Sequence, residues 1–203
     1  MDVSVATGLW PVGVGKQPGR EKLDGPQGRG YNYKMIDSPS DDYFMREALR
    51  QAAKAHEADE VPVGAVVVRA GKIIARAYNQ VELLKDATAH AEMLALTQAE
   101  AAVGDWRLTD CDLYVTKEPC PMCAGALVHV RIHRVIFGCA DLGAGAAGSV
   151  MNLLQMPGSN HRCNIASGVL QNECSWILQD FFRKRRHQQA GTPARSTNQK
   201  SQI

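Results

Sequence analysis

LYVTKEPCPMCAGAL (113–127) changes character halfway along its length. Leu113, Tyr114, Val115 and Thr116 form an unbroken β-forming run, which reads as a short buried strand. Beyond Glu118-Pro119 a second proline, Pro121, opens an Ala- and Leu-rich segment that reads as helix to about Arg131. Proline suits a first helical turn because its missing N–H is one that turn leaves unbonded. Cys120 therefore falls at the N-cap and Cys123 in the first turn. Both sulfurs sit beside unpaired backbone N–H groups at the positive end of the helix dipole, which favours thiolates.

A Cys-x-x-Cys of this kind can be a redox couple, half of a structural zinc site, or part of a catalytic metal site. The neighbouring residues bear on the choice. DATAHAEMLAL (86–96) places His90 near the start of a second helical pattern, 88–103, whose large apolar residues are Met93, Leu94 and Leu96. If both helices begin at one edge of a sheet, His90, Cys120 and Cys123 converge as three ligands of a tetrahedral ion. The fourth position is then left to solvent, whereas a closed structural site needs a fourth protein ligand, and no regularly spaced one stands nearby. Glu92 follows His90 by two residues, so its side chain leaves the helix about 200° away from the histidine. It can stand over the open position without ligating. Two thiolates offset the charge of a Zn²⁺ ion and weaken it as a Lewis acid, so a carboxylate that moves protons is the natural complement.

The rest of the chain reads as an α/β layered domain, strands alternating with helices. Ser38-Pro39-Ser40-Asp41 reads as a helix opening with Ser38 as N-cap and Pro39 at the first helical position. That helix runs to about Ala55 and buries Phe44, Leu49, Ala52 and Ala53. VPVGAVVVRAGKIIARAYN (61–79) is a hairpin turning at Ala70-Gly71. RVIFG (134–138) is a further strand, and an irregular stretch leads to a last helix near 168–186. Its apolar positions are Leu170, Cys174, Ile177, Leu178, Phe181 and Phe182. Residues 1–37, rich in Gly and Pro, read as a disordered extension, with Met35 as an alternative start. Residues 38–187 form the domain and 188–203 a flexible basic and polar tail.

The composition narrows the class. Six cysteines in 203 residues are too few for a disulfide scaffold. Cys111, Cys139, Cys163 and Cys174 read as small buried hydrophobes. No apolar run approaches the ~20 residues of a membrane span, and no secretory signal opens the chain. A soluble, cytoplasmic protein is expected. The net charge of +2 hides an asymmetry: residues 41–120 hold 9 Lys and Arg against 14 Asp and Glu, whereas 181–203 hold 6 Lys and Arg and no acid. A basic end can neutralise phosphates, and Phe181-Phe182-Arg183 adds the aromatic surface on which single-stranded bases stack.

His-x-Glu followed by Pro-Cys-x-x-Cys is the signature of zinc nucleobase deaminases. Here it is HAE (90–92) and PCPMC (119–123). From about 41 to 186 the chain resembles bacterial tRNA-specific adenosine deaminase. The likeness extends through VPVGAV (61–66), YN (78–79), TAHAE (88–92), LYVTKEPCPMCAGAL, RIHRVIFG (131–138), GAAGS (145–149), NHR (160–162) and DFFRKRR (180–186). The resemblance implies a three-layer cytidine-deaminase-like fold, a mixed sheet flanked by helices with zinc at two helix N-termini. It implies one Zn²⁺ per subunit on His90, Cys120 and Cys123, Glu92 as proton shuttle, and hydrolysis of the wobble adenosine to inosine. It further implies that Asn79, Val63 and the Ala91 backbone contact the base, that Asp141 belongs to a substrate-facing loop, and that Phe181, Phe182, Arg183 and Arg185 meet the anticodon stem-loop. A homodimer is also implied.

Two segments depart from the family pattern. Val81–Leu84 is more apolar than the turn expected there, and Ala140 and Gly143 stand where basic residues can occur. Three other readings compete: a deaminase of a free base or nucleotide, a zinc module that binds RNA without reacting, and a redox pair. GAGAAG (143–148) fits the dinucleotide fingerprint, but the next acid is Glu173, inside the last helix. Without the βαβ unit and ribose-binding acid the match implies no nucleotide cofactor. His129 and His133 read as surface or interface histidines.

Overall fold

The computed structural model describes residues 40–190, and side chains to 188. Helix α1 (Asp41–Glu57) leads into strands β1 (Gly64–Arg69) and β2 (Lys72–Tyr78). A one-turn helix α2 (Val81–Leu84) and α3 (Ala91–Val103) follow, then β3 (Cys111–Lys117), α4 (Pro121–His129), β4 (Arg134–Cys139), β5 (Asn164–Ser167) and α5 (Gln171–Ala190). The strands form one sheet in the order β2-β1-β3-β4-β5. β1 is antiparallel to β2 and β3, whereas β3, β4 and β5 run parallel. The sheet is mixed, as expected.

The central strands read as continuous apolar runs because both of their faces are covered. α1 and α3 each pack on β1 and β2 but, among the described residues, not on each other, which places them on opposite faces. α5 lies on β4 beside α1, and α4 lies beside α3. Three layers result. Met45, Leu113, Leu127, Ile132 and Ile136 are completely buried between them, each side chain contributing roughly 1.5–3 kcal/mol of transfer free energy. The β1–β2 turn has positive φ at both Ala70 (48°) and Gly71 (73°), the pairing whose twist matches the flanking strands.

Several local expectations are corrected. The N-cap of α1 is Ser40, whose hydroxyl accepts the Tyr43 N–H at 3.3 Å; Ser38 and Pro39 lie outside the described residues. Ser40 leaves Asp41 and Asp42 in the first turn, where the helix dipole favours acids. Leu49 and Ala53 are only partly buried, and Met45, Ala48 and Ala55 complete the inward stripe. The irregular stretch before the last helix contains β5, and Val81–Leu84 is a helical turn. α5 begins at Gln171 and continues to Ala190, so residues 188–190 are helix and not tail. The expectations for 1–37 and for 191–203 fall outside the described residues.

The β3–α4–β4 crossover fixes the site. Its parallel register, Asp112 against Arg134 through Lys117 against Cys139, delivers Cys120 just beyond the carboxyl end of β3, where open α/β sheets hold their ligands.

Candidate active site

His90 is the N-cap of α3 and Cys120 the N-cap of α4, both with extended backbone and neither spending its side chain on a capping bond. Pro121 occupies the first turn of α4 as the sequence predicts. Because α3 and α4 pack together, their starts face each other and the two cap side chains meet. His90 Nδ1 lies 3.7 Å from Cys120 Sγ and 3.5 Å from Cys123 Sγ, and the three ligand atoms lie within 4.8 Å of one another. Donors held at Zn–N and Zn–S lengths around a tetrahedron stand roughly 3.6–3.8 Å apart, so the cluster fits such an ion. Among the described residues no other His, Cys, Asp or Glu joins it. All six cysteines are free thiols.

One hydrogen bond between the sulfurs lowers the Cys120 thiol to about 3, with help from His90, and drives Cys123 upward together with burial. The same Cys120 contact raises His90. Glu92 is 4 % exposed, and burial above all pushes its carboxyl above the ordinary carboxylate range. A carboxyl that holds a proton more firmly than usual is suited to proton transfer near neutrality.

His90, Glu92 and Cys120 line one cavity of about 360 Å³ together with Val63, Asn79 and Phe182. Val63 is a buried wall, and its carbonyl accepts the Asn79 N–H at 3.0 Å. Ala91, fully buried, is the first residue of α3, where backbone N–H groups lack intrahelical partners. Of the four rim residues singled out in the sequence, only Phe182 lines this cavity. Phe181 is buried edge-on against His56 and Phe182. Arg183 pairs with Asp180. Arg185 lies over the Phe181 ring, donates to the Asp59 carbonyl at 2.8 Å and pairs with its carboxylate at 3.2 Å. Arg185 and Arg186 line an adjoining hollow of about 320 Å³ that shares Val61, Glu82 and Phe182 with the first.

Asp141 stands outside the residues lining the cavity. It pairs with Lys117 at 2.6 Å and accepts the N–H groups of Gly143 and Ala144, which opposes burial and lowers its carboxyl. The start of the Gly/Ala loop is thus an ordered turn held by Asp141. His133 pairs with Asp112 at 2.9 Å, and His129 ends α4.

Sequence reasoning missed Glu118, which stands between Lys117 and the first ligand-bearing turn. Its buried carboxylate accepts N–H bonds from Asp141, Ala147 and Ser149 at 2.9–3.0 Å, and the Ser149 hydroxyl. Burial opposes ionisation, but the Ser149 hydroxyl and the three amides together lower its pKa. The loop closes on it so tightly that a Cβ at Gly145 would overlap the carboxylate. The Ala146 N–H also donates to the Pro119 carbonyl at 2.9 Å. Glu118 therefore locks the 141–149 loop to the segment carrying Cys120. An acid beside a proline carries no sequence signal for that role.

The described geometry has close counterparts. The MafB19-like deaminase family matches residues 39–186. A tRNA-specific adenosine deaminase of Bacillus subtilis is 51 % identical over 146 residues, 72 % of this chain and 91 % of that protein. Another, from Aquifex aeolicus, is 49 % identical over 72 % of this chain and 96 % of its own length. A solved structure from work on A-to-I editing by tRNA:A34 deaminases at the wobble position of transfer RNA is 44 % identical. It superposes with a TM-score of 0.65 over 66 % of this chain and 98 % of that one. With a matching fold and near end-to-end correspondence to these relatives, the chain belongs to the tRNA-specific adenosine deaminases of the MafB19-like deaminase family.

Proposed function

We propose that the chain hydrolyses the wobble adenosine of a tRNA anticodon to inosine, releasing ammonia. The observation that carries this reading is the meeting of His90, Cys120 and Cys123 beside a cavity that His90, Cys120 and the buried, non-ligating Glu92 line with Phe182, adjoining an arginine-lined hollow. His90 Nδ1 and the two thiolates would hold one Zn²⁺ per subunit, which would supply Lewis acidity towards water. Glu92 takes a proton from water and returns protons to the purine ring and to the departing amino group at C6, so that adenosine and water become inosine and ammonia. Val63 and Asn79 hold the base, and the Ala91 N–H meets its edge. Phe182 offers a stacking face to the anticodon loop. Phe181 supports that ring from beneath, and Arg183 and Arg185 supply charge to the loop backbone. Asp141 contributes by bracing the loop below.

The chain acts as a homodimer in the cytoplasm on this reading. Among the described residues no helix is long and apolar enough to cross a membrane. The test is to incubate the purified protein, with its metal content measured, with anticodon stem-loops and with free adenosine, and to quantify inosine. Conversion of the stem-loop at position 34 with little reaction of the nucleoside is expected. Equal rates on both would overturn the tRNA assignment in favour of a free-nucleoside deaminase.

A further inference from the structure

Glu60 is 1 % exposed and lines the cavity beside Asn79. A buried carboxylate is costly unless donors satisfy it. Its donors are two: the Asn79 Nδ2 amide at 3.1 Å on Oε2, and the Leu83 backbone N–H at 2.6 Å on Oε1. Each leads to a different wall of the site. Asn79 directly follows β2, and Leu83 belongs to α2, whose Val81 and Glu82 line the same cavity.

The amide of an asparagine can be turned end for end, exchanging an acceptor for a pair of donors at nearly the same positions. With Glu60 in place the exchange would set Asn79 Oδ1 against a carboxylate oxygen, two acceptors with no hydrogen between them. Glu60 thereby selects one orientation. The backbone bond from Asn79 to Val63 fixes the residue's Cα but leaves its amide free to turn. The second wall depends on the same carboxylate. α2 has four residues, none of them buried, and no side-chain cap, so it cannot hold its place by burial of its own. A helix that short has little intrinsic stability.

We infer that Glu60 is a positioning residue for base recognition: it fixes which end of the Asn79 amide faces the substrate and ties α2 to the same anchor. The inference rests on the reading of Asn79 as a base contact. Glu60→Gln tests it, because one carbonyl and one NH₂ cannot replace two acceptors. Either Leu83 loses its acceptor, or the Asn79 amide turns end for end to accept from the new NH₂. In metal-loaded full-length protein, Glu60→Gln lowers kcat/KM on the anticodon stem-loop about 10- to 100-fold, the range expected when a charged hydrogen bond is lost, with the larger share in KM. In an Asn79→Ala background the same change costs less than about threefold, since residues acting through one contact are not additive. Glu60→Asp, which keeps two acceptors on a shorter reach, recovers part of the loss and serves if the Gln variant does not fold.

Equal fold-losses in both backgrounds would overturn the proposal and make Glu60 a scaffold residue. A second readout needs no substrate: the Asn79 side-chain amide resonances of ¹⁵N-labelled protein should shift and exchange faster with solvent in Glu60→Gln at unchanged metal content. Unmoved resonances would reject the Glu60–Asn79 tie. Absence of any inosine from the wild-type chain would instead reject the functional reading, and the amide measurement would still decide the role of Glu60.

Discussion

The floor of the cavity and its rim are built by opposite means. On the floor, His90, Cys120 and Cys123 are set by two helix starts that face each other, and the adjoining loop is locked by four donors on Glu118. None of these positions depends on a substrate. At the rim, Phe182 is 43 % and Leu83 61 % exposed, and the basic residues of α5 are held by acids of the same chain, Arg183 by Asp180 and Arg185 by Asp59. Reaction chemistry tolerates little misplacement, so its groups are fixed in advance. Recognition of a large partner can use groups that rearrange.

This contrast can be broken, beginning with the largest effect. Glu92→Gln removes the proposed proton carrier while keeping its shape in a buried place. It should lower kcat about 10²- to 10⁴-fold with bound metal unchanged, as read by single-turnover inosine formation alongside metal analysis. An unimpaired rate would remove Glu92 from the chemistry. At the rim, Phe182→Ala removes one stacking face, worth about 1–3 kcal/mol per base. KM for the stem-loop should rise roughly five- to a hundredfold while kcat at saturation stays within about threefold. A collapse of kcat equal to that of Glu92→Gln would erase the distinction between floor and rim.

The smallest effect sharpens the contrast by moving neither region. Asp41 accepts the Tyr114 hydroxyl at 2.7 Å and pairs with Arg134 at 3.0 Å, joining α1 to β3 and β4. Burial opposes ionisation there, but the Tyr114 and Arg134 contacts win and lower its carboxyl. A lowered folded-state pKa gives stability that is present above about pH 4 and is lost as pH falls through the folded value. Asp41→Asn should therefore cost about 0.5–1 kcal/mol at neutral pH, discounted for its partial exposure, and flatten the acid side of a denaturation-versus-pH curve. Kinetics on the stem-loop should not change. A variant with the wild-type acid limb would show that the ion pair contributes nothing.

The parts legible in the sequence are those where one residue type has one physical use. Pro121 and the two cysteines announced a helix start carrying ligands, and Ala70-Gly71 announced the turn. What escaped was set by partners distant in the chain. Ser38 and Ser40 are both of a good capping type, and the hydroxyl that accepts the Tyr43 N–H is that of Ser40. β5 is four residues long and half exposed at the sheet edge, too short to show alternation. α2 depends on Glu60, more than twenty residues upstream. Glu118 looks like a linker acid until the loop 23 to 31 residues later folds over it. Phe181, Arg183 and Arg185 were visible as an aromatic and basic run, with Asp180 three residues before Arg183, but the partner of Arg185, Asp59, lies 126 residues upstream.

The pairing of Arg185 with Asp59 changes how electrolyte should act on complex formation. A phosphate that recruits this guanidinium must first displace a carboxylate, so the exchange releases fewer condensed cations than a free arginine would. The logarithmic slope of affinity against salt should therefore be shallower than the number of basic side chains near the C-terminus suggests. Replacing Asp59 by asparagine should steepen it, and an unchanged slope would mean that Arg185 never meets the nucleic acid.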